Sequence, residues 1–205
     1  QQPLKEGADL MTGSTYKSFG GPPSGMILSN SVELADRLDK ISFPGLTANF
    51  DLSRVAAMVI SVLDLLIHGQ EYARMCIANA KALAEALHTG GCEVFQVSGK
   101  GFANSKHVAV PAAAYGGGDT ASKQLEKANL ITSGICLPLP TVPGDLNAMR
   151  LGTQEITRWG MCLDNMETIA GFFCRVLVQK ENPVKLKPAV IEFRKQFQQL
   201  HFIRT

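Results

Sequence analysis

Apolar residues along the chain fall into short clusters separated by Gly, Pro and Asn, and the spacing within each cluster predicts an element. Ala8-Asp9-Leu10-Met11 predicts a strand, residues 20–25 a Gly/Pro turn, and Gly25-Met26-Ile27-Leu28 a second short strand. Asn30 followed by Glu33 has capping-box spacing, and Leu34, Leu38 and Ile41 share a helical face that Phe43-Pro44-Gly45 ends. Residues 53–68 predict a strongly apolar helix, buried on most sides. Residues 70–88 predict an amphipathic helix, with Ala80, Leu83, Ala84 and Leu87 inward and a stop at Gly90-Gly91. A helix of this length commonly links two domains. Thereafter short strands alternate with helices: strands at 92–97, 107–110 and 148–151, helices at 120–129 and from Asp164 to about Gln179. Residues 131–140 read as a loop or edge strand. A last helix opens at Pro188, with Val190, Phe193, Phe197 and Leu200 as its stripe. The pattern is α/β throughout, without an internal repeat.

Composition narrows the function classes. With 45% hydrophobic and 19% charged residues in 205, the chain is globular. A net charge of +2 without a dense Lys/Arg run leaves no electrostatic footprint for nucleic acid. The longest apolar stretch, 55–67, is interrupted by Ser61 and Asp64 and reads as too short to span a bilayer, so no membrane partner is expected. No secretory signal is read. Five cysteines without a Cys-x-x-Cys pair suggest free thiols in a reducing, cytoplasmic compartment. The four histidines are dispersed without metal-ligand spacing.

Three segments carry candidate chemistry. Lys17 lies in Gly13-Ser14-Thr15-Tyr16-Lys17-Ser18-Phe19-Gly20-Gly21-Pro22. A lysine on a short loop after a buried strand is held in place and partly desolvated, which favours the neutral amine that attacks an aldehyde. Taken alone, the segment also fits a plain surface lysine. Gly116-Gly117-Gly118-Asp119 reads as a flexible loop with Asp119 as N-cap, the carboxylate occupying the place where a phosphate cradle would hold its anion. Arg150 sits in Met149-Arg150-Leu151-Gly152-Thr153, followed by Ile156-Thr157-Arg158. A guanidinium among apolar strand residues needs an anionic partner: either a ligand carboxylate gripped by two hydrogen bonds or a protein Asp or Glu.

In combination and order these segments resemble serine hydroxymethyltransferase, a family of fold-type I pyridoxal-phosphate enzymes. The resemblance covers nearly the whole chain. It rests on Ser14-Thr15-Tyr16-Lys17 with Gly21-Pro22 and Gly25-Met26-Ile27, on Phe43-Pro44-Gly45, and on Arg150-Leu151-Gly152-Thr153 with Ile156-Thr157 and Gly160. It implies that residues 1–75 are the C-terminal part of the large cofactor-binding domain and that 76–205 form a small α+β C-terminal domain. Lys17 would be the Schiff-base lysine, Arg150 the ligand of the substrate α-carboxylate, and Ser14 and Thr15 neighbours of pyridoxal phosphate. Ala48 and Asn49 fall where the family reaches across a homodimer to the partner's cofactor phosphate, and His107 matches a histidine opening a small-domain strand. The cofactor would act as electron sink while Arg150 selects the bond to be broken, Cα–Cβ for retro-aldol cleavage or Cα–H for proton exchange.

The departures are specific. Tyr16 replaces the family's histidine before the lysine; a phenol still donates a hydrogen bond but titrates far above imidazole. Pro23 replaces an arginine, Ala48-Asn49-Phe50 replaces a Gly-Gly-Pro run, and Ile135 stands where the family places an asparagine that contacts folate. The family's pyridine-pairing aspartate, ring-stacking histidine and main phosphate ligands precede its lysine segment and have no counterpart here. With Gln1-Gln2-Pro3 at its start, the chain reads as the C-terminal portion of a longer polypeptide. The expected activity is pyridoxal-phosphate-dependent hydroxymethyl transfer or aldol cleavage of serine or another β-hydroxy, including α-methyl, amino acid, with tetrahydrofolate as a candidate co-substrate. Two other readings stand beside it: a folate-independent aldolase, and an incomplete chain that acts only in assembly. The expected partners are a small amino acid and either a second copy or a complementary N-terminal chain.

Overall fold

The computed structural model describes residues 2–49 and 51–204. Gln1, Phe50 and Thr205, and with Phe50 part of the substituted Ala48-Asn49-Phe50 run, lie outside the described residues. The chain forms two compact units, Gln1–His68 with Ile203–Thr205, and Gly69–Phe202. The division falls at His68/Gly69, where the sequence reading drew a boundary after residue 75.

In the first unit, strands β1 (Met11–Ser14) and β2 (Gly25–Leu28) pair antiparallel, from Met11 opposite Leu28 to Ser14 opposite Gly25. β1 begins at Met11, not at Ala8; residues 8–10 lead into it. Helix α1 (Val32–Lys40) is capped by Ser31, whose hydroxyl accepts the Leu34 amide at 3.2 Å. Asn30, the expected cap, instead donates its side-chain amide to the Leu4 carbonyl at 3.2 Å. One wide turn at Ile41–Leu46, containing Phe43-Pro44-Gly45, ends the helix.

The two helices expected at 53–68 and 70–88 are one helix, α2 (Leu52–Thr89). Gly69 does not break it, because a mid-helix glycine costs only about 1 kcal/mol against the cooperative hydrogen bonding of a long helix. The expected burial of its first half is also corrected: Leu52 is 69% exposed, Leu66 76% and Ile67 64%. By length and composition alone α2 could cross a membrane, with a window of mean hydropathy 1.6, against the expectation from 55–67. Asp64, which interrupts that face, is buried and accepts from the Arg204 amide and Nε at 3.0 and 3.1 Å within the same unit.

The second unit packs helices on one face of a three-stranded antiparallel sheet ordered β3 (His107–Pro111), β5 (Ala148–Gly152), β4 (Ser133–Ile135). Val108, Val110, Met149 and Leu151 point into a core completed by Leu83 and Leu87 of α2, Leu125 of α3 (Gly118–Glu126), Phe173 of α5 (Leu163–Leu177) and Leu186 of α6 (Pro183–Arg194). A five-residue helix, α4 (Gln154–Arg158), follows β5 directly. Residues 92–97 do not form the expected strand: Cys92 and Val94 are buried, but the ladder reduces to the Phe95 amide on the Ala109 carbonyl and one bridge, Val97 with Gly101. The last helix starts five residues before Pro188, at Pro183, because Asn182 caps it by accepting the Val184 amide at 2.9 Å.

The glycine run opens α3, but Asp119 is not its cap. Asp145, distant in sequence, accepts the Asp119 amide at 2.9 Å and the Thr120 amide at 3.0 Å, and the Thr120 hydroxyl as well. Gly117, at φ +117°, is required there: a Cβ would lie 2.3 Å from the Asp145 carboxyl carbon. The Thr120 hydroxyl, then these amides, lower the Asp145 pKa from 3.8 to about 2. A carboxyl lowered on folding stabilises above its unfolded pKa and loses that contribution as pH falls through the folded one. The wild-type melting temperature should therefore exceed that of Asp145→Asn by a constant margin above pH 3.8, and the margin should close on acidification towards pH 2. Thermal melts of both proteins across that range measure it; a margin independent of pH would contradict the ionic cap.

Candidate functional site

Each unit presents one of the two charged groups singled out in the sequence. In the first, the chain after β1 closes on itself through Thr15, which is fully buried. Its amide and hydroxyl donate to the Ser24 carbonyl at 3.0 and 2.9 Å, its hydroxyl also reaches the Pro22 carbonyl, and its own carbonyl accepts the Gly21 amide at 2.7 Å. Lys17 sits at the tip of this closed loop. Thr15 therefore staples the loop and is not among the residues that line the adjoining cavity. Ser14, Tyr16 and Lys17 do line that cavity, an open space of about 920 Å³ shared with Met26 of β2 and Asp39 of α1.

The Lys17 ammonium lies 5.8 Å from the centre of the Tyr16 ring. Lys17 is exposed and β1 is only partly covered, so the expected desolvated amine behind a buried strand is not present in this unit. Next to Lys17, the Ser18 hydroxyl oxygen is buried and has no hydrogen-bond partner among the described residues. Ala48 and Asn49 are exposed and lie outside the lining of this cavity.

In the second unit β5 runs through the middle of the sheet, and its alternation turns Met149 and Leu151 inward and Arg150 outward. Directly paired strand residues share a face, so Arg150 stands between Ala109 and Ser133, with Ile135 opposite Ala148 on one side and His107 opposite Gly152 on the other. Arg150, His107 and Ile135 thus lie on one face of the sheet, His107 and Ile135 on the strands that flank β5. Arg150 is exposed, and no carboxylate among the described residues lies within ion-pair distance of it. The expected burial is corrected, and of the two partners considered, the protein carboxylate is missing.

The segment following Arg150 is held by buried polar side chains that sequence reasoning missed. The Thr153 hydroxyl donates to the Cys76 carbonyl at 2.7 Å, Thr157 donates to the Thr153 carbonyl at 2.7 Å, and Asn79 donates to the Thr157 hydroxyl at 2.9 Å and the Met161 carbonyl at 3.0 Å. Tyr72, one turn earlier on α2, donates to the Gln154 carbonyl at 3.0 Å. Their signal in the sequence is a set of polar residues, Tyr72, Cys76 and Asn79, recurring at helical spacing on the inward side of α2. Thr157→Val keeps the shape but leaves the Asn79 amide short of an acceptor, and should destabilise the protein by about 1–3 kcal/mol in denaturant unfolding. An unchanged midpoint would show that the brace carries no load.

The buried Cys92 thiol is not a competing nucleophile. Burial first, then Cys174 with its sulfur 3.5 Å away, pushes the Cys92 pKa up to about 12, which suppresses the reactive thiolate.

The serine hydroxymethyltransferase family model matches residues 2–173. The chain belongs to the serine hydroxymethyltransferase family. An alpha-methylserine aldolase from Ralstonia sp. is 46% identical over 204 residues, spanning 100% of this chain and 46% of that protein. A serine hydroxymethyltransferase from Staphylothermus marinus is 40% identical over 205 residues, spanning 98% of this chain and 46% of that protein. The crystal structure of an L-threonine transaldolase from Pseudomonas fluorescens in its internal aldimine state superposes with a TM-score of 0.84 at 27% identity, over 98% of this chain and 46% of that one. The mixed helix-and-sheet fold is thus that of part of a fold-type I pyridoxal-phosphate enzyme. This serine hydroxymethyltransferase-family chain spans about half the length of the curated relatives it matches.

Proposed function

We propose that this chain supplies the Schiff-base lysine, Lys17, and the carboxylate-binding arginine, Arg150, of a pyridoxal-phosphate-dependent enzyme. That enzyme makes or breaks the Cα–Cβ bond of a β-hydroxy amino acid, with α-methylserine the favoured substrate. The observation that carries the reading is Arg150: an exposed guanidinium without a carboxylate partner among the described residues, on a central strand whose exit is braced by buried hydrogen bonds. A charge kept unpaired on so rigid a support suits an anionic ligand.

The residues present fit the lysine side of pyridoxal phosphate. Lys17 reaches open space in a cavity that also receives the Ser14 hydroxyl and the Tyr16 phenol, and the Ser18 hydroxyl oxygen beside it lacks a partner among the described residues. Lys17 would hold the cofactor covalently and Ser14 would hydrogen-bond to it. The cofactor, when bound, supplies the electron sink that makes bonds at Cα breakable. The chain's own residues do the rest. Arg150 grips the α-carboxylate with two parallel N–H···O bonds and so fixes rotation about Cα. Tyr16 orients the substrate hydroxyl through a hydrogen bond at its phenol oxygen, and the Thr15 staple keeps Tyr16 and Lys17 on one loop. Cleavage of α-methylserine between Cα and Cβ releases formaldehyde and leaves alanine, with the hydroxyl proton passing to a base and a proton returning to Cα.

A folate-independent aldolase is favoured over a transferase by Ile135, an apolar side chain on the Arg150 face of the sheet, and by the name of the Ralstonia relative. Leu52, Val55 and Leu66, exposed along α2, support a further polypeptide packing there, either a second copy or a complementary N-terminal chain. We place the assembled enzyme in the cytoplasm. The deciding assay measures formaldehyde release from α-methylserine by protein purified with any companion chain, with and without tetrahydrofolate. Release without folate supports the aldolase; strict dependence supports the transferase. A yellow, cofactor-loaded protein inactive on both serine and α-methylserine would overturn the reading in favour of a role in assembly alone.

A further inference from the structure

We propose that the second unit carries a binding site for a small monocarboxylate with an aromatic or aliphatic body, seated in an apolar cavity with its carboxylate on Arg194. The cavity has a volume of about 430 Å³ and is walled by Leu83, Trp159, Ile169, Phe172 and Phe193. Small-molecule sites begin at about 300 Å³, and a lining of this kind gains most from an occupant that is itself apolar. The inward side chain of Leu151 also reaches it, whereas Arg150 points to the opposite face of β5, so the cavity is separate from the Arg150 surface.

The polar end of the occupant is argued from Arg194, which lines the cavity at the end of α6. The central carbon of its guanidinium lies 4.3 Å from the centre of the Trp159 ring, and one nitrogen donates to the Phe197 carbonyl. Cation–π contact and hydrogen bond together hold the group at the cavity. A guanidinium carries five N–H donors, and the side chain has no carboxylate within ion-pair distance among the described residues. The neighbouring Lys195 is not equivalent: Glu192 holds its ammonium at 2.9 Å. An unpaired guanidinium beside aromatic walls selects an anion joined to an apolar group. Glu155, the acidic residue of the lining, opposes a second negative charge, which favours a monocarboxylate over a dianion.

Trp159 is the chain's single tryptophan, so its emission reports on this cavity. Titration of the purified chain with phenylacetate should give a saturable change in that emission, and calorimetry should return the same dissociation constant. Acetate, which lacks the apolar body, should bind at least about tenfold more weakly through lost apolar burial, and phenethylamine, which lacks the carboxylate, at least about tenfold more weakly through a lost charge-assisted hydrogen bond. Arg194→Gln should weaken phenylacetate at least about tenfold. Arg194→Lys should recover part of the loss, and Glu155→Gln should tighten binding. A folded chain without a saturable response, or a response of equal strength with phenethylamine or in Arg194→Gln, overturns the proposal. Neither readout depends on Lys17, Arg150 or catalytic turnover, so its failure is distinguishable from failure of the proposed function.

Discussion

Lys17→Ala should abolish the yellow absorbance of the cofactor-loaded enzyme and lower turnover by at least roughly 10³-fold, within the range for loss of a positioned proton-transfer group. Among the described residues, no other lysine lines the cavity where Lys17 sits to take its place. The same substitution should leave the stability of the cofactor-free protein within about 0.5 kcal/mol, because Lys17 is exposed and makes no ion pair among the described residues. Absorbance spectra, turnover and a melt on one preparation therefore separate a catalytic lysine from a structural one. Retention of colour and activity would return Lys17 to the plain surface lysine that its short motif also allows.

Arg150→Ala should lower kcat/KM for the amino acid by about 100-fold, mainly through KM. Two charge-assisted hydrogen bonds at about 1.5 kcal/mol each amount to about 3 kcal/mol, and each 1.4 kcal/mol is a decade. Arg150→Lys should recover only part, since a point charge cannot span both carboxylate oxygens. The melting temperature should hold in both variants, because the guanidinium is exposed and has no carboxylate partner to strand among the described residues. A lower melting temperature with unchanged KM would make Arg150 a strut of the sheet.

Elements whose determinants lie within a few residues were legible in the sequence. β2 lies at the predicted apolar cluster, β5 extends its prediction by one residue, and α5 starts and ends within two residues of its pattern. The cap of α3 was not legible, because its carboxylate comes from Asp145, which only the fold brings to the helix start. Nor was the brace behind Arg150: Asn79 and Thr157 are 78 positions apart, and no spacing rule joins them. Residues 53–68 misled for the opposite reason. Their apolar spacing does specify a helix, but composition cannot say whether the surface that covers it lies within this chain.

The sequence by itself determined the family, the loop bearing Lys17 and the strand bearing Arg150, because these reside in local motifs whose geometry follows from neighbouring residues. Only the tertiary structure decided which way those groups face. Thr15 turned inward as a staple while Tyr16 and Lys17 faced open space, and Arg150 came to the side of β5 opposite the Met149 and Leu151 core. The physical reason is that exposure and charge pairing are set by groups distant along the chain. The unpaired guanidinium on β5 exists because no carboxylate among the described residues folds back to meet it.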